Sequence, residues 1–407
     1  MNILLVCYAY PPEVAPGGVG HKELAEDLTR AGHNVTVLTG WPNHPRGVLF
    51  PGWEARFRQV ERMPEGFRII RCGHSIHPRT MFWRLLHYFT FAVSSLVNGL
   101  AAGPFDAVMD DSTPIFGAWT AWLLARLKGA RCVYWIHDMY PETAVDAGLM
   151  APGPLYRLLL WADTVLCRKS DIVATISEAM RRKVLERGIA PEKVVLAPHW
   201  QDGRKVRFTG RDNPWRRRQG IPLDKFVALH AGTLGFISGA EVMVLAAENL
   251  RNRPDILLLI VGEGVVKEHL VRKAQELRLE NVRFLPFQPA EDLADMQSTG
   301  DVSLVTLIPQ SGENTIPSRV LGYLAAGRPV IASIRGDTPT AEMIRSQNLG
   351  IVTPPQEGKA LAEAIAYAAD HRQEMERIGR NSREFFMSHY DRQVATKVCE
   401  RLLRGEE

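Results

Sequence analysis

The chain has 407 residues, of which 46% are hydrophobic and 23% are charged, and it carries a formal net charge of +4. This composition is that of an ordinary globular protein, and it excludes disordered and fibrous classes. The length predicts two domains of roughly 200 residues each rather than one core. The slightly basic balance favours anionic partners without specifying which ones.

Five cysteines are scattered along the chain, at Cys7, Cys72, Cys132, Cys167 and Cys399, and no two of them form a CxxC pair. This spacing argues against zinc and disulfide frameworks and fits a reducing cytoplasm. The N-terminal segment lacks the basic residues of a signal peptide, and its apolar run has the length of a strand.

The first predicted elements form a βαβ unit. A buried strand at 2–7 leads into a glycine-rich loop that contains Gly17 and Gly18, and a helix at 21–31 and a strand at 35–38 follow. The loop matches neither GxGxxG nor the P-loop signature, because no Lys-Ser/Thr pair follows it. It is therefore either a flexible turn or a ligand contact.

An uncharged stretch, residues 85–105, raises the question of a membrane span. It is long enough to cross a bilayer, but its polar side chains favour a buried or interfacial helix instead. Residues 79–97 predict a helix with apolar side chains on one face, which Trp83 widens. Such a helix either packs on a sheet or rests against lipid headgroups.

A strand predicted at 132–136 runs directly into His137. Sites in open α/β sheets form at the carboxyl ends of strands, so His137 is a candidate site residue. The alternative is a structural histidine held by Asp138. Asp110 and Asp111 follow the preceding strand, and without further spaced ligands they indicate a solvated strand end rather than a metal site.

The segment 204–218 marks the predicted domain boundary. It contains seven basic residues against one acid, Asp212, and shows no apolar periodicity. It is either a solvated linker or a basic hinge that faces an anionic membrane or phosphate. The predicted organisation is a first domain at 1–203, the hinge at 204–222, a second domain at 223–385, and a C-terminal helix at 386–407 that could cross back to the first domain.

A second α/β pattern begins at residue 226, and its alternation of strands with helices predicts a parallel sheet. Within it, 301–333 reads as strand, polar loop, short helix and strand. The loop and helix start carry Glu313, Ser318 (the expected N-cap) and Arg319. Because helix N-termini at strand ends present N–H groups to anions, these residues suit an anionic ligand. The alternative is a solvated Glu313 and a surface Arg319.

Six segments together carry a resemblance to a known family. They are YAYPPEVAPGGVGHKELAEDLTRAGHNVTVLTGWPNHP, HDMYPETAVDAG, ATISEAMRRKVLERG, HAGTLGFISGAE, IVGEGVVKEHL and IPSRVLGYLAAGRPVIAS. In this order they resemble glycosyltransferases of the GT-B fold, in the retaining family 4 (group 1), and most of all the branch of the colanic-acid biosynthesis transferases. The resemblance implies an α/β fold of two tandem doubly wound, Rossmann-like domains facing across a cleft. The first domain would be on the acceptor side, and the second would bind the nucleotide sugar.

The resemblance also implies roles for single residues. The catalytic candidates are His137 near the transferred sugar, Glu313 on the donor sugar, and Arg319, which replaces the usual lysine beside the diphosphate. The donor-binding candidates are Gly17 and Gly18 near the diphosphate, the phosphate turn of Gly232, Thr233 and Gly235, Gly262 and Glu263 beside the nucleoside, Phe287 and Gln288 near the base, and Ser318. Arginine can hold two phosphate oxygens where lysine offers one point charge.

Two departures from the family pattern affect how the donor is held. Gly322 stands where relatives often carry a second glutamate that holds the ribose. Residues 236–239 occupy the turn where some relatives use an arginine and a lysine for phosphate. Arg319 is therefore expected to bear more of the neutralisation of the diphosphate.

The resulting hypothesis is a retaining glycosyltransferase that moves a hexose from a UDP- or GDP-sugar to a lipid-linked or polysaccharide-precursor acceptor. The resemblance implies no cofactor, no essential metal and no nucleic-acid partner. The enzyme is expected in the cytoplasm, peripheral at the inner face of the cytoplasmic membrane. The alternatives are a nucleotide-sugar 2-epimerase of the same fold and a non-catalytic, nucleotide-sugar-binding partner subunit, which the missing second glutamate favours.

Overall fold

The computed structural model describes residues 1–13, 16–43, 47–76, 81–112, 115–146, 150–310 and 316–406. The chain divides into two compact units, the first comprising Met1–His199 with Ala395–Glu407 and the second Trp200–Val394. The segment 204–222, predicted as a separate hinge, lies within the second unit. The chain returns to the first unit at Ala395, inside the stretch predicted as a C-terminal helix.

The first unit is built on a sheet that has eight strands in the described residues. These are β1 (Asn2–Val6), β2 (Asn34–Thr39), β3 (Arg58–Arg62), β4 (Arg68–Cys72), β5 (Ala107–Asp111), β6 (Arg131–Ile136), β7 (Ile172–Thr175) and β8 (Val194–Leu196). Along the sheet they lie in the order β3-β4-β2-β1-β5-β6-β7-β8. The chain proceeds outward from β1 in both directions, so the gap between β1 and β5 is the topological switch point at which open α/β sheets bind ligands.

One pair of neighbouring strands in this sheet is antiparallel. β3 pairs with β4 through a short turn in which the Met63 N–H donates to the Phe67 carbonyl at 2.9 Å. Parallel strands need a crossover connection of a dozen or more residues, which this turn is too short to supply. β3 also alternates exposed and half-buried residues, as an edge strand does. The pattern of strands alternating with helices therefore does not extend to this edge.

The helices of the first unit surround a core of strand residues that are apolar on both faces. They are α1 (Pro16–Arg30), α2 (Met81–Ala101), α3 (Ile115–Lys128), α4 (Glu142–Asp146), α5 (Pro154–Lys169) and α6 (Glu178–Glu186). Leu4, Val6 and Val108 are fully buried between the layers, as expected for parallel strands covered on both sides. All five cysteines are free and buried. No helix within the described ranges combines the length and the apolar character that a bilayer crossing requires.

The second unit contains a sheet whose described strands all run parallel. They are β9 (Phe226–Ala231), β10 (Ile256–Val261), β11 (Val282–Leu285), β12 (Val302–Thr306), β13 (Val330–Ser333) and β14 (Gly350–Thr353). Their order is β11-β10-β9-β12-β13-β14, which places the switch point between β9 and β12. The predicted parallel sheet is thus present in this unit.

Helices cover both faces of the second sheet. They are α7 (Pro214–Arg218), α8 (Glu241–Asn249), α9 (Lys267–Glu276), α10 (Leu293–Thr299), α11 (Ser318–Ala325), α12 (Pro339–Ser346), α13 (Gly358–Asp370) and α14 (Arg372–His389), and α15 (Arg392–Arg404) follows them. The predicted boundary at residue 385 falls inside α14. The hydrophobic clusters on the two faces both include fully buried strand residues, such as Leu304 on one face and Val305 on the other.

The basic segment predicted as a hinge is packed into the second unit. The Asn213 side chain caps α7 by accepting the Arg216 N–H at 2.9 Å, and Trp215 is fully buried. Arg216 is only 1% exposed, and its guanidinium donates to four backbone carbonyls. Arg211 pairs with Asp301 at 2.6 Å. These arginines are therefore neither linker residues nor an anion-facing surface, because buried guanidinium groups need acceptors and find them inside this unit.

Candidate active site

The carboxyl edge of the second sheet brings together Gly232 of the predicted phosphate turn and Gly262, which was predicted beside the nucleoside. Gly232 follows β9, and its N–H donates to the Val261 carbonyl at 2.9 Å. A Cβ atom at Gly262, which follows β10, would lie 3.0 Å from the carbonyl carbon of Gly232 and overlap its oxygen. Glycine is therefore required at 262 by the close approach of two loops. Thr233 is exposed at the same turn, and at Gly235 a Cβ would meet no other atom of the described chain within 4 Å.

Arg319 lies beside this turn. Its guanidinium is close to Gly232, where a Cβ would lie 3.2 Å from the Arg319 Cζ. Its Nη1 lies 3.2 Å from Nε2 of His230, the fully buried residue near the end of β9. Burial and the neighbouring Arg319 charge lower the pKa of His230 to about 3. The histidine is therefore uncharged at neutral pH, and it adds no negative charge beside the Arg319 guanidinium.

The start of α11 differs in one detail from the sequence prediction. Pro317 holds the cap position, and Ser318 is the first helical residue, exposed and without a side-chain cap bond. One turn further, the Tyr323 O–H donates to the Ala231 carbonyl at 3.0 Å, and the Ala231 N–H donates to the Tyr323 oxygen at 2.8 Å. This reciprocal pair ties α11 to the end of β9 and so keeps the helix start beside the Gly232 turn.

In the predicted nucleoside segments, Glu263 and Gln288 have their side chains engaged within the second unit, whereas Phe287 is 54% exposed. Glu263 pairs with Lys267 at 2.7 Å. The Gln288 Oε1 accepts the indole N–H of Trp215 at 3.0 Å, while its Nε2 donates to the Pro286 carbonyl at 2.9 Å. Both ends of the Gln288 amide are therefore used in holding the loop.

Of the residues in the family pattern, Glu313 lies outside the described residues. The two departures from that pattern, at Gly322 and in the turn at 236–239, can be described. Gly322 is buried, and a Cβ there would lie 3.0 Å from Nε2 of Gln297, itself 5% exposed. The space that a second glutamate would need is thus filled by a glutamine from α10. In the turn after β9, Phe236 and Ile237 are strongly exposed, at 78% and 62%.

In the first unit, the predicted glycine loop is helical. α1 begins at Pro16, so Gly17 and Gly18 belong to its first turn. A Cβ at Gly18 would lie 2.8 Å from the Ala9 carbonyl oxygen. The glycine therefore lets the start of α1 approach the segment that follows β1, at the switch point of this sheet.

His137 lies at the carboxyl end of β6 in a turn organised by Ser112. The Ser112 Oγ accepts the N–H groups of His137 at 3.0 Å and Asp138 at 3.2 Å. The Nε2 of His137 is buried and has no hydrogen-bond partner among the described residues. Asp138 is exposed, and its side chain makes no hydrogen bond to this ring within the described part of the chain, so the alternative that Asp138 holds the histidine is wrong. Ser112 fixes the backbone of the turn instead.

Aromatic rings surround His137. The His21 ring from α1 stacks on it at 5.8 Å, the Trp135 ring lies 4.2 Å away, and the His199 ring lies 4.6 Å away. Burial lowers the pKa of His137 well below its usual value, and the neighbouring histidines lower it further. Burial likewise lowers the pKa of His199 to about 4. At neutral pH these two imidazoles are uncharged hydrogen-bonding groups.

The carboxylates of Asp110 and Asp111, the last two residues of β5, are not a solvated strand end. Asp110 is 3% exposed, and its Oδ2 has no hydrogen-bond partner among the described residues. Burial, and secondarily the Asp111 charge, raise its pKa well above the usual value. The Asp111 Oδ2 lies 3.9 Å from Nδ1 of His21. No group of three or more metal-ligating side chains is found in the described ranges.

Comparison with known proteins assigns the family. Residues 212–385 match the family described as glycosyl transferases group 1, and residues 17–200 match the glycosyl transferase 4-like domain. The chain belongs to these glycosyltransferases. It is 28% identical over 381 residues to WcaI of Escherichia coli (strain K12), whose name describes a colanic acid biosynthesis glycosyl transferase, covering 90% of this chain and 92% of that protein.

Solved structures show the same fold. The sucrose-phosphate synthase from Thermosynechococcus elongatus matches this glycosyltransferase with a TM-score of 0.74 and 20% identity, over 99% of this chain and 98% of that one. HepE of Anabaena, solved in complex with UDP and glucose, matches with a TM-score of 0.69 and 15% identity over 100% of both chains. The GT-B fold class predicted from the sequence is confirmed.

The candidate regions of the two units, each taken by itself, also contain residues that sequence reasoning did not select. They are His21, Ser112, His199, Trp215, His230 and Tyr323. A usable signal existed for His230, because it lies near the carboxyl end of a buried strand, the same criterion that selected His137. No local pattern marks Trp215 or Tyr323, since each acts through a hydrogen bond to a distant segment.

Proposed function

We propose that this glycosyltransferase moves a hexose from a UDP- or GDP-sugar to a saccharide acceptor and retains the configuration of the anomeric carbon. The proposed binding of the nucleotide-sugar donor rests on Arg319, which lies at the start of α11 beside the Gly232 turn. Its side-chain partner is the neutral His230, and no carboxylate pairs with it in the part of the chain that the structure describes. A cation held at a helix start without a counter-ion suits a diphosphate.

The chemistry of transfer needs such a cation. The bond between the anomeric carbon and the phosphate oxygen breaks, and its electron pair stays on the diphosphate. The acceptor hydroxyl oxygen forms the new bond to the anomeric carbon and gives up its proton. Arg319 and the N–H groups of the first turn of α11 stabilise the charge that develops on the leaving group. The proposed reaction relies on these groups rather than on a metal ion to neutralise the diphosphate.

The first unit supplies the groups proposed to orient the transferred sugar. The buried Nε2 of His137 has no hydrogen-bond partner among described residues, and neither has the Oδ2 of Asp110. Leaving a buried polar atom unpaired costs about 1–3 kcal/mol, so a ligand that satisfies these atoms binds with a corresponding advantage. Sugar hydroxyls both donate and accept, and they match an uncharged imidazole and a carboxyl group. Glu313 is proposed to complete these contacts.

The acceptor is proposed to be a lipid-linked or polysaccharide-precursor saccharide. WcaI, to which this chain aligns over nearly the full length of both proteins, is named for colanic acid biosynthesis. On α2, Trp83, Phe89, Val93 and Val97 are between 46% and 56% exposed, and they recur at roughly helical spacing. An apolar helix face of this kind can lie in a membrane interface, so the enzyme is proposed to act as a peripheral protein at the cytoplasmic face.

Calorimetric titration with UDP-, GDP- and dTDP-sugars, without added metal, tests the proposed binding of the donor. We expect one nucleotide class to bind, and we expect Arg319→Ala to weaken that binding. Arg272→Ala, at an exposed arginine on α9, is the matched control because it removes the same charge from the same unit. Equal binding by wild type and Arg319→Ala would overturn the assignment of the diphosphate cation.

Product analysis tests the reaction. During donor hydrolysis, NMR should show the released sugar first in the anomeric configuration of the donor, and an Arg319→Ala plus Glu313→Ala double variant should lose this hydrolysis. If a C2 epimer of the donor sugar appears without acceptor, the enzyme catalyses epimerisation rather than transfer. Donor binding without hydrolysis or transfer by the isolated chain would identify a non-catalytic partner subunit.

Vesicle sedimentation tests the membrane proposal. We expect the chain to sediment with anionic vesicles, and we expect a Phe89→Ser plus Val93→Ser variant to do so less. Val60→Ser is the control, because Val60 on β3 is as exposed as Val93 but lies outside α2. Equal sedimentation of both variants would assign membrane binding, if present, to another surface.

A further inference from the structure

A fully buried histidine lies next to the proposed diphosphate cation, and both of its nitrogens are engaged. The His230 Nδ1 lies 3.2 Å from the Leu304 carbonyl oxygen, and Nε2 lies 3.2 Å from Nη1 of Arg319. A carbonyl oxygen can only accept a hydrogen bond, so Nδ1 carries the proton. The Nε2 lone pair then accepts from Arg319. The two contacts thus select one neutral tautomer.

We infer that His230 is the positioning residue for Arg319, holding the guanidinium against the Gly232 turn with an uncharged acceptor so that its full positive charge faces a nucleoside diphosphate. This inference rests on the proposed function, in which Arg319 neutralises the diphosphate. It assigns to His230 no contact with the substrate.

The chemical nature of the group that accepts the hydrogen bond from Arg319 matters, because a carboxylate would change the charge of the site. Other arginines of this unit are held by carboxylates: Arg211 by Asp301 and Arg217 by Asp212, at 2.6 and 2.7 Å. Such a partner fixes the side chain but cancels its charge and competes with phosphate oxygens. An imidazole fixes the geometry without adding negative charge. The low pKa of His230, about 3, keeps this arrangement unchanged across the neutral range.

The packing around the pair restricts where the guanidinium can lie. A Cβ at Gly232 would be 3.2 Å from the Arg319 Cζ and 3.4 Å from its Nε and Nη1, so the guanidinium lies against a residue without a side chain. The Leu304 carbonyl belongs to β12, on the other side of the switch point from β9. The imidazole therefore links both strands of the switch point to the first turn of α11, and a shift of either strand would move Arg319.

A double-mutant cycle on the full chain tests the inference. The variants are His230→Phe, which keeps the ring but removes the acceptor, Arg319→Ala, and the two combined. His230→Gln, whose amide oxygen can reach the position of Nε2, is the conservative rescue, and Arg272→Ala is the charge control. The probes are UDP and GDP, each compared with its nucleoside, uridine or guanosine, by calorimetry. Circular dichroism melting of each variant reports on folding.

If His230 acts through Arg319, His230→Phe weakens diphosphate binding roughly ten- to a hundredfold, the loss expected for a hydrogen bond to a charged group. Nucleoside binding should not change, His230→Gln should recover most of the loss, and His230→Phe should cost nothing further in the Arg319→Ala background. Additive losses, or equal losses for nucleotide and nucleoside, would show a merely structural histidine and overturn the inference.

The same calorimetric measurements give a different result if the proposed function itself is wrong. If Arg319→Ala binds UDP and GDP as wild type does, or if wild type binds neither, the diphosphate assignment fails and the inference fails with it. If Arg319→Ala weakens binding and His230→Phe does not, only the positioning role is overturned. A His230→Phe variant that fails to fold leaves His230→Gln as the test, because loss of diphosphate binding in that folded variant would contradict a role as acceptor.

Discussion

The loops at Gly232 and Gly262 of the second unit approach each other so closely that the effect of one substitution can be predicted. In Gly262→Ala the new methyl group would lie 3.0 Å from the Gly232 carbonyl carbon and overlap the oxygen bonded to it. The neighbour is backbone, which cannot rotate away as a side chain can. The Gly232 turn must therefore move, and with it the contact to Arg319. We expect both a loss of stability and weaker binding of UDP or GDP.

The size of the effect follows from overpacking. Forcing one extra methyl group into a filled site costs about 1–3 kcal/mol, and a rigid backbone neighbour places this case near the upper figure. For a domain of this size, 1 kcal/mol lowers the unfolding temperature by about 2–4 °C. The unfolding temperature of the second unit should therefore fall by roughly 6–12 °C, as measured by circular dichroism melting of the full chain.

Gly235→Ala is the matched control. A Cβ at Gly235 meets no other atom of the described chain within 4 Å, and the backbone there is extended, with φ −94°. This variant should be as stable as wild type or slightly more so, because alanine reduces the entropy of the unfolded chain. If Gly262→Ala and Gly235→Ala melt at the same temperature, the close packing of the two loops is refuted as the reason for glycine at 262.

Three further predictions concern single contacts. Trp215→Phe removes the indole donor to the half-buried Gln288 and should cost about 0.5–1.5 kcal/mol of stability, the net contribution of a typical hydrogen bond; nucleotide binding should weaken in the same calorimetric titration, and unchanged values for both would refute the contact. The folded pKa of His199 is about 4, below its ordinary value of 6.5, so the folded state binds fewer protons than the unfolded state between these values. Stability should fall as pH drops through that window, and the fall should be smaller in His199→Gln when unfolding temperatures are compared at pH values inside and above it; parallel curves would contradict a buried neutral imidazole. Ser112→Ala should lower the rate of donor hydrolysis more than donor affinity, because it releases the backbone turn that carries His137; a pure loss of affinity would instead assign Ser112 to binding.

Much of the fold could be predicted because the relevant signals are local. The strands predicted at 2–7, 35–38 and 132–136 are present as β1, β2 and β6, with each end within one residue of the prediction, since each is a short apolar run between helices or turns. The sequence does not predict the hairpin of β3 and β4, because β3 contains a single apolar residue, Val60, among four charged or polar ones that its edge position leaves exposed or half-buried. The sequence predicts a helix that begins at residue 21, whereas α1 begins at Pro16. Glycines at 17, 18 and 20 suggest a loop unless the packing that requires them is known.

The basic segment shows a second limit of sequence reasoning. Seven positive charges with no apolar period predict solvent exposure, yet Arg216 is buried. One of the backbone carbonyls that accept from Arg216 belongs to Thr299, which lies 83 residues further along the chain. A charge pattern indicates where cations occur but not whether distant carbonyls are available to receive them.

The sequence by itself determined the fold class, the family, and which strand ends carry chemistry, because apolar periodicity, turn residues and motif order are properties of neighbouring residues. Only the tertiary structure decided how those residues work together. It alone places His230 against Arg319, 89 residues apart, and Trp215 against Gln288, 73 residues apart. Hydrogen bonds require donor and acceptor within about 3 Å, and over such separations that condition is met by the packing of the sheet rather than by the spacing of residues along the chain.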